Sequence, residues 1–300
     1  GSRVAIGSPE SYQAGHVSIY DWSGSNWQKV GNDISGDFDA GDRETGSSVS
    51  LSADGTRVAI GDPRSGVGIN QSFEGHVKIY EWSAEVNSWQ QVGTDIDGEA
   101  RGDASGSSVS LSADGSRVAI GAPFNDGGGE NSGHARIYDW SGFAWQQVGT
   151  DIDGEAGGDA SGFRISLSAD GSRVAIGAPY NDGGGESSGH VRIYELLSGT
   201  WQQVGADIDG VSSDLRSGYS VSLSADGSRV AIGAPFYDYS IPNGSNTFYK
   251  YDAGQVRIFE FFDGNWLQVG TDIDGGSGGD ESGSSVSLSA DGSRVAIGSP

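Results

Sequence analysis

The chain contains no cysteine and no methionine, and only 7 prolines in 300 residues. Without cysteine there is no disulfide framework and no thiolate metal site. Basic residues are scarce: 17 Lys and Arg stand against 41 Asp and Glu, a formal net charge of −24. Phosphates would be repelled, so nucleic acid is excluded as a partner on electrostatic grounds. No apolar run approaches the length of a membrane span, so no membrane insertion is expected, and no signal peptide is visible. The chain starts and stops inside a repeat and lacks methionine, which leads to the expectation of an excerpt from a longer protein.

What the sequence does have is glycine, 52 residues of it, and repetition. Gly1-Ser-Arg-Val-Ala-Ile-Gly7 returns from Gly55 (with Thr56), Gly115, Gly171, Gly227 and Gly292. Such a period marks an array of one supersecondary unit, each copy too small to bury its apolar face alone. Within one copy, Phe163–Ser168 alternates apolar and polar residues, the pattern of a half-buried strand, here A. Ala169-Asp170-Gly171 supplies a hairpin turn into strand B, Arg173–Gly177. A loop over Asn181–Gly189 leads to strand C, His190–Tyr194; strand D is Trp201–Val204, and Asp207–Gly210 leads on to the next copy.

No segment has helical periodicity. Four short antiparallel strands per unit predict an all-β fold, a β-propeller of four-stranded antiparallel blades with five repeats in this chain. An open array is the rival, but it would leave long exposed edges. The units fall at about 1–45, 46–105, 106–161, 162–217 and 218–282, with 283–300 closing or continuing a single propeller domain. The last strand A, Ser284 to Ser289, is placed to complete the first blade beside Arg3–Gly7.

Gly162–Pro179 followed by Gly189–Tyr194, with Gly-Ala-Pro at 121–123, 177–179 and 233–235, resembles the FG-GAP repeat. That repeat builds the propeller of integrin α-subunits. The resemblance implies an extracellular or cell-surface propeller used for adhesion or ligand binding and not for catalysis. It also implies aspartate-rich calcium loops between strands A and B. Here those turns hold one carboxylate each (Asp54, Asp114, Asp170, Asp226, Asp291), too few for calcium's six to eight oxygens.

The charge is unevenly placed. In an antiparallel blade the D–A and B–C connections share one face, and their excess of acids over bases equals the whole net charge of −24. Crowded carboxylates repel, and cations relieve the repulsion. Asp95, Asp97, Glu99 and Asp103 fall at positions 1, 3, 5 and 9 of one D–A loop, and Asp151, Asp153, Glu155 and Asp159 repeat the spacing in the next. Oxygen ligands at odd positions of a glycine-bearing loop are how a loop wraps Ca2+. These eight residues are the candidate metal ligands and Ca2+ the expected ion. The competing reading is that they only shape turns and cap backbone amides.

His16, His76, His134 and His190 each open strand C, with Gln255 in the fifth copy. Equivalent positions on different blades stand far apart, so a structural role is expected. The repeating strand B arginines (Arg3, Arg57, Arg117, Arg173, Arg229, Arg294) are read as packing or ion-pair residues within their own blades, the turn aspartate being one candidate partner. Trp27, Trp89, Trp145, Trp201 and Trp266 on strand D are read as packing between blades. Trp140 belongs to a more variable set ending strand C. With Tyr237, Tyr239, Phe248, Tyr249 and Tyr251 of a B–C insert that breaks the repeat, it makes up the candidate ligand-binding set. Arg101-Gly102-Asp103 matches an adhesion tripeptide by chance composition. Asn70 and Asn243 fit the N-glycosylation pattern.

These features add up to a non-enzymatic extracellular module for adhesion or assembly, its acidic face ordered by divalent cations. The partner is expected to be a protein or glycan at that face, with self-association as a further possibility. A carbohydrate-binding propeller is the alternative, and a hydrolase or lyase the least favoured.

Overall fold

The computed structural model describes residues 2–11, 14–38, 41–66, 73–243 and 246–300; the side chains of 239–249 lie outside that description. The described chain is entirely β, and none of it forms a helix that could cross a membrane. Blade 3 shows the plan. Strands A (Ser108–Leu111), B (Arg117–Ala122), C (His134–Trp140) and D (Trp145–Gln147) lie in that order, each antiparallel to the next. A fifth strand of two residues, Ile152–Asp153, doubles back onto the start of strand C, placing Asp153 opposite His134. Blades 2, 4 and 5 repeat this arrangement. The fifth strand was not legible in the sequence. The insert in blade 5 forms its own hairpin, Tyr239–Asn243 with Asn246–Lys250.

Strand B is the centre of each blade. Val118, Ala119 and Ile120 are all buried although alternate residues face opposite sides. Both sides are covered because a blade lies between two others. The core is therefore a series of seams: Val77 and Ile79 of blade 2, for instance, pack with Val109, Leu111, Val118 and Ile120 of blade 3. Each fully buried aliphatic side chain of this kind contributes about 1.5–3 kcal/mol. Blades approach so closely at one point that glycine is required. A Cβ on Gly121 would lie 2.0 Å from the carbonyl oxygen of Gly162.

Repeated polar contacts fix the spacing. The strand D indoles of Trp89, Trp145, Trp201 and Trp266 donate to the carbonyls of Val30, Val92, Val148 and Val204 in the preceding blade, at 2.8–3.1 Å. The strand B arginine does pair within its blade, but with strand C and not with the turn aspartate. Arg117 grips Asp139 with two bonds of 2.6 and 2.7 Å and extends Nη1 to the Gly171 carbonyl of the next blade. The turn Asp114 instead accepts from the Ser116 amide and the Ser112 hydroxyl, which hold its carboxyl below the usual range.

Of the two courses open to residues 283–300, pairing with the first blade is not the one seen. Strand A of the last unit, Ser285–Leu288, pairs with its own strand B, Val295–Gly298, and among the described residues the first sheet has no strand A. Ile6 is 49% exposed, whereas its equivalent Ile60 is 2% exposed. Trp27 and Ile273, at the two ends, are likewise uncovered.

Candidate metal centres in the seams between blades

The D–A loop of one blade runs beside the start of strand C in the next, so carboxylates from two blades meet the residue that opens strand C. At the seam of blades 2 and 3, Glu99, His134 and Asp151 converge, with one ligand atom of each lying within 4.8 Å of the others. His134 is 1% exposed, and neither of its ring nitrogens has a hydrogen-bond partner. The nearest carboxylate to Nδ1 is Glu99, at 3.9 Å. At the seam of blades 3 and 4 the arrangement recurs. Nδ1 of His190 also lacks a hydrogen bond, with Glu155 Oε2 at 3.9 Å, Asp207 Oδ2 at 3.8 Å and Asp209 Oδ1 at 4.0 Å.

An imidazole buried without a partner forfeits the hydrogen bonds it would make in water, so such a group calls for an explanation. Burial, followed by the charge of Arg136, lowers the pKa of His134; burial, followed by Arg192, does the same for His190. Both rings are thus held neutral, the form that ligates metals. The surrounding groups are oriented. Gln147 Nε2 donates to Asp151 at 2.5 Å and Gln203 Nε2 to Asp207 at 2.5 Å. Arg136 and Arg192 each bind a backbone carbonyl, of Asp97 and Asp153, and approach Glu99 and Glu155 at 3.4 and 3.3 Å. Carboxylates held by a second layer of donors around an unpartnered imidazole nitrogen are the pattern of a metal site. These acid and histidine groups are able to hold a metal ion.

The other seams compensate their acids with a cation or an amide, although Gln255 Oε1 is left without a partner among the described residues. Between blades 1 and 2, Asp42, Asp62 and His76 come together, but the Lys78 ammonium sits 2.8 Å from Asp42 and 3.8 Å from Asp95. Burial lowers the pKa of Lys78, yet the bond and charge of Asp42 outweigh it and the net shift is upward. In blade 5, Gln255 replaces histidine, and its amide donates to Asp272 and Asp274 at 3.2 and 3.1 Å. In blade 1 the Lys29 ammonium bonds Asp33.

The eight carboxylates singled out by spacing do not wrap one ion per loop. Asp95 and Asp97 face His76; Glu99 and Asp151 face His134; Glu155 faces His190. Asp153 lies opposite His134 in the strand pairing. Asp103 and Asp159 are buried and accept from Asn125 and Asn181 at 2.9 Å. The carboxylate of Arg101-Gly102-Asp103 is therefore turned inward. Each of His76, His134 and His190, read as structural, gathers acids from its own seam. Trp140 packs against Trp145 at 5.4 Å between ring centres. Tyr251 is exposed. Tyr237 is half-buried. The side chains of Tyr239, Phe248, Tyr249 and Asn243 lie outside the described residues, as does Asn70.

No family model and no curated protein sequence matches the chain. Solved structures do. A periplasmic gluconolactonase of Pseudomonas aeruginosa aligns with a TM-score of 0.64 at 14% identity, over 98% of this chain and 75% of that one. A hydrazine synthase chain of Kuenenia stuttgartiensis gives 0.57 and 13%, over 97% and 68%. A protein from Lactobacillus plantarum gives 0.55 and 12%, over 90% and 67%. At these identities the likeness establishes the fold, a β-propeller. It also corrects the adhesion reading. The FG-GAP likeness that carried that reading has no family match, and two of these propellers are named as enzymes, so the expectation of a non-enzymatic adhesive module does not stand.

Proposed function

We propose that the chain is a divalent-cation-binding β-propeller whose ions sit between blades, one held by Glu99, His134 and Asp151 and one by Glu155, His190 and Asp207. The observation that carries this reading is His134, buried to 1% exposure with both ring nitrogens unpartnered and acids close by. Imidazole among the donors favours a first-row ion such as Zn2+ or Mn2+ over the Ca2+ expected from carboxylates alone. Calorimetric titration of metal-stripped protein tests it. Two sites are expected, both lost in the double variant His134→Gln, His190→Gln. Binding that survives in that variant, or that Na+ at equal ionic strength reproduces, would place the ions elsewhere.

A second reading is metal-assisted hydrolysis of a small ester or lactone. Two observations favour it: the fold is shared with a protein named as a gluconolactonase, and Glu99 and Glu155 are open to solvent, so water reaches both sites. A bound ion would polarise a carbonyl and acidify water; Arg136 and Arg192 would orient the ligating glutamates. The neighbour's name also supports a periplasmic or secreted location. Lactone hydrolysis followed by acid release, with metal-loaded and chelated protein compared, decides it. No difference between the two would end the hydrolytic reading and leave cation binding intact.

A further inference from the structure

Blades 4 and 5 depart from the other units at one place outside the candidate metal sites. The residue before strand A is Ser47, Ser107 and Ser284 in three units, but Phe163 and Tyr219 in these two. The next residue is serine in every unit except one, where it is Arg164. The residue after the Ala-Pro of strand B is aromatic in all three units that have that pair, Phe124, Tyr180 and Phe236, and only in blades 4 and 5 does it face an aromatic residue before strand A. These side chains meet. Phe163 lies 6.4 Å from Tyr180 and 5.1 Å from Tyr219, and Tyr219 lies 5.9 Å from Phe236, between ring centres. Arg216 spans the two ends of this row, its guanidinium 5.1 Å from the Tyr180 ring and 4.4 Å from the Phe236 ring. Arg164 stacks on Phe163 at 4.9 Å.

The charges here are out of keeping with the rest of the molecule. In a chain of net charge −24, neither Arg164 nor Arg216 has a carboxylate within 4.0 Å among the described residues. Arg64 and Arg101, on comparable loops, pair with Glu44 and Glu74. Among the described residues the Arg164 side chain makes one hydrogen bond, to the Phe163 carbonyl at 2.9 Å, and the Arg216 side chain contacts its two rings without a hydrogen bond. Each guanidinium carries five donors in a planar fork that matches a carboxylate. All six side chains are half-buried, so the cluster is neither sealed core nor open surface.

From these contacts we infer that Arg164, Arg216 and the four rings form a binding site for a small organic carboxylate, its charged end on the guanidinium groups and its carbon skeleton against the aromatic walls. The inference is independent of the cation sites. A dicarboxylate is favoured because two guanidinium groups are available.

The test is calorimetric titration of the intact chain with succinate, acetate and inorganic phosphate, in metal-free buffer at about 0.15 M NaCl, where diffuse attraction is screened beyond about 8 Å. Succinate is expected to bind more tightly than acetate, and phosphate, which makes no use of the rings, more weakly than succinate. Arg216→Gln and Arg164→Gln should each weaken succinate at least tenfold, and Phe163→Ser, which restores the residue of the other units, should weaken succinate more than phosphate. The melting temperature and the far-ultraviolet circular dichroism of each variant confirm that it folds. No succinate binding up to about 50 mM, equal binding of phosphate and succinate, or binding unchanged in the double arginine variant would each overturn the inference.

Discussion

Replacing His134 and His190 together by glutamine separates a metal site from a screened acidic surface. Glutamine is the natural choice because Gln255 already holds the equivalent place in blade 5 and bonds the local carboxylates. A ligand that binds only the folded state at 100 times its Kd stabilises by about 2.7 kcal/mol per site. Unfolding entropy near the midpoint is about 2.1 cal/mol/K per residue, so a chain of 300 residues changes by about 0.6 kcal/mol per kelvin. Each occupied site should therefore raise the Tm by about 4 °C, and two sites by about 8–9 °C. Differential scanning calorimetry of stripped protein, with and without Zn2+ or Mn2+ at matched ionic strength, reads this directly. The double variant should lose the whole increment and each single variant about half. In metal-free buffer the variants should melt no lower than the parent, since neither Nδ1 loses a hydrogen bond on substitution. A full metal-induced shift in the double variant would refute the seam geometry. An equal shift from NaCl alone would reduce the acids to a diffuse field.

Other expectations follow from the same contacts. Lys78→Ala removes the ammonium from buried Asp42 and should cost about 3–5 kcal/mol without metal, as loss of one partner from a buried pair does. Divalent cations should restore much of that loss and raise the calorimetric stoichiometry from two to three. Trp201→Phe keeps the ring but strands the Val148 carbonyl, so it should cost about 1–3 kcal/mol in denaturant unfolding. Acid should act in two stages. His134 and His190 titrate below their ordinary value, so above it both states are neutral and contribute nothing; as pH falls below about 6.5 the unfolded chain takes up protons first, and stability drops. The turn carboxylates also titrate low, Asp291 at about 2, and stabilise above the ordinary aspartate range. That contribution should vanish between about pH 4 and pH 2, seen as a second limb in a Tm–pH curve.

The propeller was legible because its determinants are local and repeated. Alternation in Arg117–Ala122, the Asp114-Gly115 turn and the recurring strand D tryptophan each specify a piece of one blade, and a blade has one way to bury both faces. The open ends were less so. The residues of the last strand A suit either partner, and only the assembled sheets show it paired to Val295–Gly298. The candidate metal centres were half visible. Glu99, Asp151 and Glu155 were singled out by spacing within a loop, whereas their common ligand comes from the next blade: Glu99 precedes His134 by 35 residues and Glu155 precedes His190 by the same interval. Comparing histidines only with one another obscured this, since equivalent residues on a ring are far apart while successive, non-equivalent ones touch. The two-residue strand that turns each D–A loop back onto strand C is too short to leave a periodic signal, yet it is what brings these acids to the imidazole. Divergence between repeats is a second signal, independent of spacing within a loop. It drew attention to the insert of blade 5, and it would equally have found Arg164 and the aromatic residues beside it, where serine stands in the other units. In a repeat protein, a seam is specified twice, once by each neighbour, so a change that leaves the blade intact but alters what faces the next blade is the kind that binding can exploit.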